Sequence, residues 1–214
     1  MSKQSANIDL ASLFQSVSGT LADNRESLNE ADTNNHDHGD NMVDTFEVIT
    51  QAMKEKKGED PADQLAYASE ILRQRKSGSA QLYAKGLSEA SKEFQGQQVT
   101  SGNAMTLIQS LLGGGQAPVQ QQQSGGVGDI LGSLLGGSNQ QAQQQQSSQG
   151  LDIGDILNAG MAFMNTKSRG GSNLEAIVNA VVSSSAMGGG YRQQSGNLVA
   201  GALMQAVQGM VNKR

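Results

Sequence analysis

The sequence predicts an all-α protein, and two observations carry that prediction. Apolar residues recur three, four or seven positions apart through most of residues 1–112 and again after residue 150. No segment of useful length alternates apolar with polar residues as a half-buried strand would.

The elements follow in order. Leu10, Leu13, Phe14, Val17, Leu21 and Leu28 share one helical face, so a single helix is expected from an N-cap at Asp9 up to an acidic stretch beginning near residue 28. Met42, Phe46, Ile49 and Met53 repeat the spacing, with Asp40 or Asn41 placed to cap this second helix. Asp60-Pro61 is a start signal, with the acid at the N-cap and proline where its missing N–H costs nothing. Leu65, Ala68, Ile71 and Leu72 then form the buried face, and Arg73, Arg75 and Lys76 close the helix where its dipole favours cations. Ser77-Gly78-Ser79 is a small-residue turn opening a fourth helix with the face Tyr83, Leu87, Ala90 and Phe94. A fifth follows Thr100 or Ser101 and presents Ala104, Leu107, Ile108, Leu111 and Leu112.

Beyond this point the texture changes. Residues 1–112 hold 16 of the 20 acidic and 10 of the 15 basic residues, whereas 113–214 hold 4 and 5, which sets a boundary near Gly113–Gly115. Residues 1–115 are therefore expected to form one helical domain. Residues 116–150 form a Gln/Gly-rich linker, too poor in apolar surface to offset the cost of ordering it, with a short helix at 127–135. Residues 151–214 return to helical spacing in three pieces, around Ile153–Phe163, Leu174–Val181 and Val199–Met210. They are rich in Ala, Gly and Ser and are expected to pack on 1–115 rather than stand alone.

Composition excludes several functions. There is no cysteine, so disulfide frameworks and thiolate metal sites are ruled out. A net charge of −5 without clustered Lys and Arg argues against nucleic acid as a partner. The opening MSKQSANIDL lacks an apolar signal segment and no 18-residue apolar run follows, so the expectation is a soluble cytoplasmic protein without a membrane partner.

The chemistry concentrates in LNEADTNNHDHGDNMVDTF, residues 28–46, which holds both histidines and the acids Glu30, Asp32, Asp37, Asp40 and Asp44. An EF-hand fails there. Gly39 at its sixth position leaves Thr45 where a bidentate Glu is required. Zinc through His36 and His38 lacks the further ligands of a structural site. A solvated acidic turn that caps a helix is the plain alternative. No Ser/His/Asp nucleophile set can be assembled, because both histidines lie within three residues.

The run Asp37-His38-Gly39-Asp40-Asn41-Met42 followed by Phe46 resembles the signature of the nucleotide-binding L subunit or domain (DhaL-like) of dihydroxyacetone (glycerone) kinases. Gly78-Ser79-Ala80-Gln81-Leu82-Tyr83 loosely matches that family's Gly-x-Ser-Gly-Pro-Leu-Tyr-like turn, and Tyr191 with Ser195-Gly196 echoes a late Tyr…Arg-Ser-x-Gly turn, without the Asp-Pro-Gly that should follow. The resemblance covers Asn7–Gly113 and, more weakly, the C-terminal helices.

It implies an antiparallel multi-helix bundle or barrel that binds ADP or ATP with Mg2+. Glu30, Asn35 and Asp37 stand at the positions of the family's three metal-facing aspartates, so one aspartate is kept, one is a longer carboxylate and one has lost its charge. His38 and Ser79 stand at phosphate-facing positions, with Ser77 and Gly78 offering N–H groups at the same helix start. Ala80-Gln81 in place of Gly-Pro alters the phosphate turn. In the family the substrate adduct forms on a separate K-type subunit, so phosphotransfer would need such a partner. The contrasting expectation is a catalytically inactive helical interaction module, able to form homo-oligomers.

Overall fold

The computed structural model describes residues 7–113 and 190–212. Among these, seven helices form: α1 Leu10–Asp23, α2 Arg25–Ala31, α3 His38–Glu55, α4 Pro61–Arg73, α5 Gly78–Glu93, α6 Ala104–Leu112 and α7 Tyr191–Asn212. The only pairing of extended backbone among the described residues is an isolated antiparallel bridge between Asn7 and Thr100. The described residues are all-α, as their apolar spacing indicates. The linker at 116–150, its short helix at 127–135, and the helices expected around 153–163 and 174–181 lie outside the described residues.

Local signals account for three of the seven described helix starts. Asp9 caps α1 by accepting from the Ser12 N–H at 2.8 Å. Pro61 opens α4 after Asp60, though the Asp60 side chain makes no capping bond. Ser77 caps α5 by accepting from the Ala80 N–H.

Two expectations are corrected. The single first helix breaks at Asn24, whose side chain turns back to donate to the Thr20 carbonyl at 2.8 Å, and α2 sets off anew from Arg25. Leu21 and Leu28 are seven apart, so their shared face is the same with or without the break. The second helix starts not at a cap on Asp40 or Asn41 but at His38, with Asp37 as the N-cap residue. Its exposed N–H groups are satisfied from outside: Asn29 of α2 accepts from the Gly39 N–H at 2.7 Å and the Asp40 N–H at 3.2 Å.

Gly39 is required by the same contact. A Cβ there would collide with the Arg25 carbonyl and lie 2.8 Å from the Asn29 side-chain oxygen.

The packed pairs close a ring: α1 on α3, α3 on α4, α4 on α5, α5 on α6, α6 on α7 and α7 on α1. Neighbours alternate in direction. Asp9 at the start of α1 meets Lys57 just past the end of α3, and Ile8 donates to the Val99 carbonyl ahead of α6, so α1 and α6 begin at one end. The first turns of α3, α5 and α7 lie at the other, where His38 touches Ser195 and Gly78 faces Arg192. Inside runs one core in which Phe14, Phe46 and Tyr83 stack across α1, α3 and α5, with centroids 6.3 and 4.7 Å apart. The last helix joins it through Val199, Ala200, Ala202 and Leu203, all buried. No helix among the described residues is long and apolar enough to cross a membrane.

Candidate functional site

The site is the end of the ring where α3, α5 and α7 begin. Three helix starts at one end bring N–H groups and the positive ends of three dipoles together. At the centre is His38, only 6% exposed, in the first turn of α3. Its Nε2 lies 2.9 Å from the hydroxyl of Ser195, a residue 157 positions away. Ser195 in turn donates to the Arg192 carbonyl at 2.9 Å. Since the serine has one proton and spends it on that carbonyl, His38 donates from Nε2, and neutral His38 carries its proton there. The Tyr191 ring meets the imidazole edge-on, 4.7 Å between centroids.

Charges of both signs border His38. Burial lowers its pKa below the ordinary 6.5, and the Arg192 guanidinium lowers it further, while Asp32 and Asp37 pull the other way. The net direction is down, so His38 is neutral near pH 7. Asp32 is buried and accepts from the Asn34 N–H at 3.0 Å. Asp37 is half-buried and accepts from the Asn41 side-chain amide at 2.7 Å. Between them His36 adopts a left-handed backbone, φ 55°, and its Nδ1 lies 3.2 Å from the Asn29 carbonyl.

The other expected residues fall around this centre. Ser79 is buried in the first turn of α5, Ser77 is its half-buried cap, and Gly78 is exposed. A Cβ on Gly78 would stand 3.5 Å from an Arg192 guanidinium nitrogen, so α7 spans from the start of α3 to the start of α5. Glu30 is exposed on α2, and Asn35 is exposed in the turn between α2 and α3. No three His, Asp or Glu side chains among the described residues are grouped to hold a metal ion.

Arg192 is the residue that motif reading misses. It sits in the first turn of α7 and beside the first turn of α5, both positive ends, and it forms no ion pair with any described carboxylate. A signal was present: Arg192 is the single charged residue between Glu175 and Lys213, placed at the head of an Ala/Gly-rich helix.

No protein-family model, curated protein or solved structure matches the chain.

Proposed function

We propose that this chain binds the phosphates of an adenine nucleotide, as the nucleotide-binding component of a dihydroxyacetone kinase-type phosphotransfer system, at the end of the ring formed by α3, α5 and α7. The observation that carries the reading is Arg192: a guanidinium set against two helix N-termini with no described carboxylate to answer it. An anion at that point would satisfy the cation and the helix starts together.

The division of charge supports a nucleotide with its metal. Arg192, Gly78 and Ser79 form a side suited to phosphate, while Asp32 and Asp37 flank His38. Magnesium that arrives with phosphates takes only one or two protein carboxylates. Asp37 and Glu30, with the neutral oxygen of Asn35, supply donors of that type. When bound, the ion would offset phosphate charge and Ser79 would contact the phosphate oxygens, and His38 would join them by exchanging its Nε2 hydrogen bond to Ser195 for one to the phosphate. Phosphotransfer by this chain calls for a second protein, of the K type, that presents the substrate.

Isothermal calorimetry with Mg-ADP tests the reading. Binding at or below millimolar nucleotide is expected, weakened about tenfold or more by Arg192→Gln, since hydrogen bonds to charged groups contribute roughly 1.5–3 kcal/mol. Absence of heat at millimolar nucleotide would refute it.

A second reading, an interaction module without nucleotide, draws on one observation. Asn29 already takes the Gly39 and Asp40 N–H groups and Asn41 already engages Asp37, so part of the α3 start serves the fold itself. Light scattering that finds a homo-oligomer and calorimetry that finds no nucleotide would favour it.

A further inference from the structure

We draw no further inference here: the strongest candidate, the half-buried apolar patch of Met204, Ala206, Val207 and Met210 in the final turns of α7, carries nothing because it lies against the ring core and nothing in the structure shows what covers its exposed part.

Discussion

The two ends of the helical ring solve the same electrostatic problem in opposite ways. At the end where α1 begins, charge and helix geometry agree: Asp9 caps α1 and pairs with Lys57 beyond the end of α3, and Lys56 pairs with Glu59 ahead of α4. The Ser12 N–H bond, together with Lys57, holds the Asp9 carboxyl below its ordinary value. At the end where α3, α5 and α7 begin, Arg192 stands against helix dipoles and a histidine is buried beside it. The first arrangement stabilises the fold. The second sets a cation against positive helix ends, and such local conflict is expected where a protein binds something.

Four substitutions or conditions would break or sharpen this contrast, taken from the largest effect to the smallest. Phe46→Ala removes the ring that links Phe14 to Tyr83 and should cost about 4 kcal/mol in urea denaturation, whichever end is considered. Gly39→Ala forces a methyl group into the Arg25 carbonyl, and a loss of about 3 kcal/mol is expected. A neutral result there would show that α2 and α3 can separate freely. Asp9→Ala should cost about 1 kcal/mol through the lost cap. That contribution is present above the unfolded carboxyl pKa and fades as pH falls through the lower folded value. Arg192→Gln should change stability by less than about 0.5 kcal/mol or raise it slightly, against the loss that removal of a structural cation would give.

The pH response distinguishes the ends further. His38 has its folded pKa below the unfolded one, so the fold favours the neutral ring. Its contribution to stability is fully present above about pH 6.5 and is lost as pH falls toward the folded value. Proton NMR of the His38 ring should titrate below 6.5 in the wild-type chain and move upward in Arg192→Gln, because one of the two causes of the depression is removed. An unmoved titration would mean that the guanidinium does not act on the imidazole.

Much of this fold was legible because it rests on short-range signals. The faces of α3, α4, α5 and α6 follow from apolar spacing, the starts of α1 and α5 follow from the Asp9 and Ser77 caps, and the start of α4 follows from proline at its first position, all signals that lie within three or four residues. The break at Asn24 was not legible, since Leu21 and Leu28 keep phase across it. Nor was the start of α3, because its cap comes from Asn29 on a different helix. At the site, Asp37, His38 and Ser79 stood out through a motif resemblance. Tyr191 and Ser195 carried a fainter echo of the same family, but their pairing with His38 did not show, because Ser195 is 157 positions distant and only folding around the ring brings the two together. Arg192 carried a weak mark in its isolation, but its position against α5 is a tertiary fact.

The most direct test of the claim that the α3, α5 and α7 end is an anion site is thermal denaturation in phosphate against chloride at matched ionic strength, for the wild-type chain and Arg192→Gln. The account predicts that phosphate raises the midpoint of the wild-type chain, by an increment that grows with the logarithm of its concentration above the dissociation constant, and leaves the variant unmoved. Equal shifts in both proteins, or none in either, would contradict it.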